Sequence, residues 1–205
     1  MGRPPLSPAG VEAFRERAIA AALELFAHQP DVSLRQLAKA MGVSPNTPYR
    51  YFESKEELFM AVRAACYRRF AEALRSRLAT LDPIAQVFEV GSAYHDHALQ
   101  RPAEFRLMFQ LGQPDPAAYP DAHQAGVDAW AVVLGAVQAA VDAGCIDADP
   151  LTLAHLLWSG THGIVSLAQS NRLSVGRSAQ DLLHPMVAAL LRAHGWHPEP
   201  IESSP

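Results

Sequence analysis

Between Ser44 and Lys55 the chain sets Asn46, Thr47, Tyr49, Arg50 and Tyr51 within one short stretch. An asparagine can bond an adenine edge, an arginine can bond guanine O6 and N7 together, and a threonine methyl can meet the thymine methyl. Tyrosine hydroxyls and the Lys55 ammonium suit phosphate oxygens, which fix register rather than sequence. The chemistry of this set is recognition of double-stranded DNA. The other residues that invite chemistry are histidines: eight of nine lie after residue 90.

Reading by a few side chains requires elements that hold them still. Ser33 with Gln36 is a capping box, and Leu34, Leu37, Ala38 and Met41 follow at the spacing of one helix face. Gly42 ends that helix, since glycine takes the left-handed C′ conformation cheaply. Val43 is expected as the buried plug of the turn. Ser44 caps a second short helix with Pro45 at its first position. Ser54 with Glu57 opens a third, long helix. Two helices joined by a tight Gly-containing turn make a helix-turn-helix, whose second helix enters the major groove.

The run MGVSPNTPYRYFESKEELF closely resembles the DNA-binding segment of TetR-type (tetracycline-repressor-like) transcriptional regulators. The resemblance extends back through a first helix, Val11 to Phe26, and forward to about Arg77. It implies that Asn46, Thr47, Arg50 and Tyr51 approach bases. It further implies that Ser33, Ser44, Tyr49 and Lys55 hold phosphates and that Arg35 reaches the groove edge; Pro45 is counted with this DNA-binding set. Trp158, His162 and Gly163 resemble the Trp…His-Gly signature of one branch of these regulators' C-terminal domains. Two positions depart from the family pattern. Pro48 stands where the family usually has Leu, and His28-Gln29-Pro30 replaces a glycine-containing helix end. Pro48 falls in the first helical turn and removes at most one early backbone bond, but its loss of a long side chain bears on the helix tilt. Pro30 can stop the first helix as glycine would.

The chain has 205 residues, 49% of them hydrophobic, and a net charge of −4. That balance alone argues against nucleic acid, but its distribution does not. Residues 1–80 carry twelve Lys/Arg against eight Asp/Glu, and residues 81–205 carry five against thirteen. A basic first part and an acidic remainder suit a DNA-reading domain followed by one that leaves DNA alone. Cys66 and Cys145 are far apart, which excludes a disulfide framework and a cysteine zinc site. This suits a reducing cytoplasm. MGRPPLSPAG lacks the apolar run of a secretory leader. The richest apolar segment, Ala129 to Val141, is too short to span a bilayer. The arm containing Gly2-Arg3-Pro4 either enters the minor groove or frays.

The remaining pattern is helical throughout, with no convincing strand and no repeat. Expected helices are Val11 to Ala27, Lys55 to Leu78, Asp82 to Leu99, and a short one ending at Phe109. Three more follow, Asp121 to Ala143, Asp149 to Ser170 and Arg177 to His194. On Lys55 to Leu78, Arg63, Arg68, Arg75 and Arg77 are expected to stay wet. The last two helices are apolar around much of their circumference, so both sides must be buried. In a chain of this length the second side points to another subunit and a two-fold four-helix bundle.

The histidines do not form a convincing metal site. His95 and His97 are two apart, on different sides of a helix, whereas a helical zinc pair needs a spacing of four. His155 and His162 share a face without a carboxylate between them. No nucleophile elbow, phosphate loop or dinucleotide fingerprint is present. Tyr94, Phe105, Met108, Phe109, Trp130 and Trp158, with His162, are instead expected to line an apolar ligand pocket between helices. For each of these residues ordinary core is the competing reading; the resemblance implies a small-molecule inducer site in this domain.

The expectation is therefore an all-α protein of about nine helices. Residues 1–54 form a helix-turn-helix DNA-binding domain and residues 55–205 a helical ligand-binding and dimerisation domain. It is read as a ligand-responsive repressor without enzymatic activity or cofactor, cytoplasmic and not membrane-bound. Its partners are an operator, a small apolar or aromatic effector and a second copy through the last two helices. A metal- or heme-handling helical enzyme, or a DNA-binding regulator without a small ligand, are the alternatives.

Overall fold

Ser7 and Pro8 open the first helix as a capping pair, with the Ser7 hydroxyl accepting from the Gly10 N–H at 3.2 Å. Helix α1 therefore spans Pro8–His28, three residues earlier than expected. The structure is a computed structural model that describes residues 7–29, 31–110, 112, 115–173 and 176–197, and of Gln110 only the backbone. The Gly2-Arg3-Pro4 arm and Pro30 lie outside the described residues.

Among the described residues the chain is all-helical: α2 Leu34–Ala40, α3 Lys55–Leu78, α4 Pro83–Gln100, α5 Pro102–Phe105, α6 Pro120–Asp142, α7 Pro150–Gln169 and α8 Ala179–Ala193. A 3-10 turn, Pro48–Arg50, lies between α2 and α3, and a π turn, Arg106–Gln110, follows α5. Helix ends obey local chemistry. Asp149 caps α7 through the Thr152 N–H at 2.8 Å. Ser178 and Asp181 form a reciprocal box at the start of α8. Gly42 and Gly144 take φ of +65° and +69° where α2 and α6 stop.

The fold packs as two compact units. Unit 1 comprises residues 1–70 and 101–128, and unit 2 comprises 71–100 and 129–205. In unit 1, α1 packs against α2 and α5, and α2 against the 3-10 turn. Phe14, Ala18, Ala22 and Phe26 of α1 are buried together with Leu37 of α2 and Leu58 and Val62 of α3. Cys66 is sealed in this interior, and burial pushes its thiol up to about 12.

Arg63 corrects the expectation of a solvated face: it is fully buried. Its Nε donates to the Leu107 carbonyl at 2.7 Å and its Nη1 to Gly112 at 2.8 Å. The π turn leaves carbonyls outside the regular helical ladder, and these are what a buried guanidinium can satisfy. Tyr67 assists by donating its hydroxyl to Met108 at 2.7 Å. Val43 is half-buried rather than a sealed plug.

In unit 2, α4, α7 and α8 pack on one another. Val87, Val137, Ala140, Leu153, Leu157, Val187 and Leu191 form the interior. Gly160 sets the approach of α7 to α8, since a Cβ there would meet Met186 Sδ at 2.8 Å. Contrary to the expectation that no segment is long enough to span a bilayer, α6 is, with 23 residues and a mean hydropathy of 1.3 over its best window. In this fold it is a packing helix: Ala122, Ala125, Ala129, Val133, Ala136, Val137 and Ala140 are buried.

Candidate nucleic-acid interface and effector cavity

The residues from Asn46 to Tyr51 stand on a short turn. Pro48 has no N–H to donate back to the Ser44 carbonyl, so the bond that would open an α-helix from Pro45 is missing. The chain instead makes three-residue bonds: Thr47 N to Ser44 O at 2.9 Å, Arg50 N to Thr47 O at 3.1 Å and Tyr51 N to Pro48 O at 3.0 Å. The expected second α-helix from Pro45 is thus a 3-10 turn, with Pro48 buried. Ser44 does not cap a backbone N–H; its hydroxyl bonds the Thr47 hydroxyl at 3.0 Å.

Helix α1 supplies the missing rigidity. The Tyr51 ring stacks on Phe14, with centroids 4.0 Å apart. Arg15 donates to the Tyr51 carbonyl and to Glu57 Oε1, the latter at 3.0 Å. Its guanidinium also lies over the Phe52 ring, 4.5 Å from the centroid. Glu57 in turn accepts from the Glu53 N–H at 2.6 Å. The end of the turn is therefore tied to both α1 and the first turn of α3.

What this brace presents is polar and exposed. Pro45, Asn46, Tyr49 and Arg50 are exposed, as is Arg35 on α2, and Thr47 is half-buried. Tyr49 is 54% exposed. Ser33 is occupied as the cap of α2, taking the Gln36 N–H at 3.2 Å. Tyr51 is half-buried, its ring committed to Phe14. Lys55 forms an ion pair with Asp31, which holds that carboxyl below its usual range. Arg15 and Asp31 carry no signal in the sequence. Arg15 and its partners lie 36 and 42 positions apart, a separation that no local pattern reveals.

The aromatic set divides between the units. Phe105 and Met108 are fully buried in unit 1, and Phe109 packs edge-on against Tyr67 and Phe70 there. Tyr94 and Trp158 line a cavity in unit 2, which the other three do not. Its walls are aliphatic: Val87, Val90, Val133, Val137, Leu157 and Val187. Gly91 and Thr161 complete it. The free space is about 20 Å³, room for a water molecule. Trp130 leans on Trp158 with centroids 5.9 Å apart.

His162 stands beside this cavity, with Nδ1 2.7 Å from the Tyr94 hydroxyl. Burial lowers its pKa, so the imidazole is neutral near neutral pH. His155 uses Nδ1 on the Leu151 carbonyl at 2.8 Å and its ring on Trp130. Among the described residues, no three His, Cys, Asp or Glu side chains converge as a metal site would need. Thr161 and Gly91 escaped the sequence reading, although Thr161 is a polar residue on an apolar helix.

Residues 18–62 match the family described as bacterial regulatory proteins, tetR family. Residues 87–190, half of the chain, match the tetracyclin repressor-like C-terminal domain. Among solved structures, a protein of unknown function from Rhodococcus sp. RHA1 is 24% identical, with a TM-score of 0.78 over 88% of this chain and 94% of that one. A TetR transcriptional regulator from Rhodococcus sp. RHA1 is 27% identical, with a TM-score of 0.62 over 88% and 97%. RolR in complex with resorcinol is 20% identical, with a TM-score of 0.63 over 93% and 92%. Among curated proteins no match is found.

Proposed function

The chain belongs to the TetR family of bacterial regulatory proteins, and from that membership we propose that it acts as a ligand-released repressor of transcription. Two copies grip a near-palindromic operator, each setting its recognition turn in a major groove about 34–36 Å from the other. The observation that carries this reading is the braced turn. A 3-10 segment tied down by Arg15 and Phe14 holds Asn46, Tyr49 and Arg50 toward solvent with no core role. Arg50, Asn46 and Thr47 are the base readers; Tyr49, Ser44, Ser33 and Lys55 meet phosphates, and Arg35 the groove edge. Tyr51, with its ring on Phe14, reaches DNA only through its hydroxyl.

The division of labour falls after residue 54, with reading before it and effector binding and dimerisation after it. The dimer forms through α7 and α8. Leu151, Leu156 and Leu167 of α7 are 50%, 44% and 41% exposed in one chain, and a second copy would cover them. Trp158 and His162, 5.8 Å apart, support placing the C-terminal part in the Trp…His-Gly branch. The protein works in the cytoplasm, and no enzymatic step belongs to this reading.

The effector enters the unit 2 cavity. It shifts the operator equilibrium only if it binds the DNA-free state more tightly. RolR, a structural relative, is solved with resorcinol, which supports an effector of small size. The test is release of the DNA flanking the protein's own gene as effector is titrated. Equal operator affinity with effector saturated would reject ligand release and leave a regulator controlled by other means.

A further inference from the structure

We propose that unit 2 carries a second small-molecule site, an open cleft where the last turns of α4 and α7 meet the first turn of α8, and that it takes an uncharged molecule bearing an amide. No residue of this cleft lines the effector cavity, and the proposal stands apart from the released-repressor reading.

The walls of the cleft are tied together. Gln169, at the end of α7, donates to the Ala98 carbonyl of α4 at 3.1 Å. Beyond it the chain turns back on itself. The Asn171 N–H meets the Ala168 carbonyl at 3.0 Å, and the Arg172 N–H meets the Leu167 carbonyl at 2.8 Å. Asn171 takes a φ of +54° in this turn, a conformation that asparagine accepts more readily than most side chains. The space enclosed is about 410 Å³, within the range of small-molecule sites. Leu99, Ala168, Leu173 and Ala179 give it apolar walls. Helix geometry sets it apart from the proposed dimer face of α7. Ala168 falls about 20° around that helix from the buried Leu157, whereas Leu151, Leu156 and Leu167 lie about 100° or more away.

The polar groups decide the ligand's functional group. His95 lines the cleft and is 6% exposed. Its Nδ1 is 3.4 Å from Asp96 Oδ1, and among the described residues its Nε2 has no partner. A carboxylate only accepts, so the neutral ring carries its proton on Nδ1 and Nε2 offers a lone pair. Ala179 and Gln180, the first two residues of α8, also line the space. A helix leaves its first N–H groups without an acceptor, and the Ser178 hydroxyl caps only the Asp181 N–H, at 3.3 Å. One wall of the cleft therefore accepts and another donates. A ligand N–H answers His95 and a ligand carbonyl answers α8, and one amide supplies both. Asn171, with an amide of its own, can donate or accept beside it.

Charge works against an acid. No Lys, Arg, Asp or Glu lines the cleft; Arg172 and Arg177 are exposed on the adjoining loop. Two carboxylates stand behind its polar groups: Asp96 at His95, and Asp181, which accepts from the Ser178 N–H at 2.8 Å. An ionised carboxylate ligand would meet both and would lose its water without a counter-charge in the walls.

The experiment is calorimetric titration of the full-length protein with three probes. They are ε-caprolactam, cycloheptanone (the same ring with CH₂ in place of N–H) and hexanoate. ε-Caprolactam is expected to bind about fivefold or more tighter than cycloheptanone, although the ketone is the more apolar of the two. Hexanoate should bind most weakly. His95→Phe should bring the lactam-to-ketone ratio to one or below; because both probes meet the same sample, a change in the variant's stability does not alter that ratio. Asn171→Gly tests the cleft without straining the fold, since glycine takes a φ of +54° freely. Its melting temperature should hold while ε-caprolactam weakens about threefold. Cycloheptanone binding as tightly as the lactam, hexanoate binding tightest, a ratio unchanged by His95→Phe, or no saturable binding of any probe would overturn the proposal.

Discussion

The ring of Tyr51 lies nearly flat on Phe14, centroids 4.0 Å and planes 24° apart, so the recognition turn ends on the first helix of the chain. Phe14 is 4% exposed and anchors that contact. Phe14→Ala should cost about 3–5 kcal/mol of unfolding free energy. Phe14→Leu keeps most of the volume and loses the ring pairing, about 0.5–1.5 kcal/mol. Denaturant titration measures both. The leucine variant should also bind operator more weakly at a temperature where it is fully folded.

Arg15 ties α1 to the end of the turn. It holds the Tyr51 carbonyl and Glu57, and removing it frees the end of the turn. Arg15→Met should cost about 1.5–3 kcal/mol of stability, the range for hydrogen bonds to a charged group. Operator affinity should fall severalfold with an unchanged salt slope, because no phosphate contact is lost. A reduced slope would place Arg15 on the DNA instead.

Lys55 pairs with Asp31 and is the residue proposed to meet a phosphate. Asp31 opposes DNA both as a competitor for Lys55 and as a negative charge near the backbone. Asp31→Asn should tighten binding at low salt, whereas Lys55→Ala should weaken all sequences alike and reduce the salt slope by about 1. Both residues are exposed, so neither change should move the unfolding midpoint measurably. Fluorescence anisotropy over a salt series resolves the two.

His162 sets a pH dependence. Burial lowers its folded-state pKa below the ordinary imidazole value of about 6.5. As pH falls through that value the unfolded chain takes up the proton first, so stability declines with acidification. Above the ordinary value the contribution is complete. His162→Phe should flatten the stability profile on the acid side of neutrality, measured by thermal unfolding across pH. An unchanged slope would assign that dependence to other groups.

The reading from sequence succeeded where the signal is local. Lys55 to Leu78 was bounded to the residue, because Ser54 and Glu57 mark its start. α4, α6 and α7 were placed within a residue or two, by Asp-Pro pairs and Gly144. It failed where the cause is distant. Arg63 looked like one of a row of solvated arginines, and only the π turn 44 positions later explains its burial. The aromatic set was chosen by residue type, which cannot separate Phe105 and Met108 in one unit from Tyr94 and Trp158 in the other. Pro48 is legible in the sequence as a departure, whereas the 3-10 turn at its position is not. Without its N–H the turn tightens to 3-10 and depends on α1.

The central claim is that this short braced turn reads DNA. Its most direct test is binding of the purified protein to the DNA flanking its own gene, over several salt concentrations, beside the Tyr49→Ala and Arg50→Ala variants. The account predicts tight, sequence-dependent binding. Arg50→Ala should cost about 1–3 kcal/mol and relax the preference at one base position. Tyr49→Ala should weaken every sequence equally. Weak binding that is steeply salt-dependent, equal for random DNA and indifferent to both substitutions would contradict it.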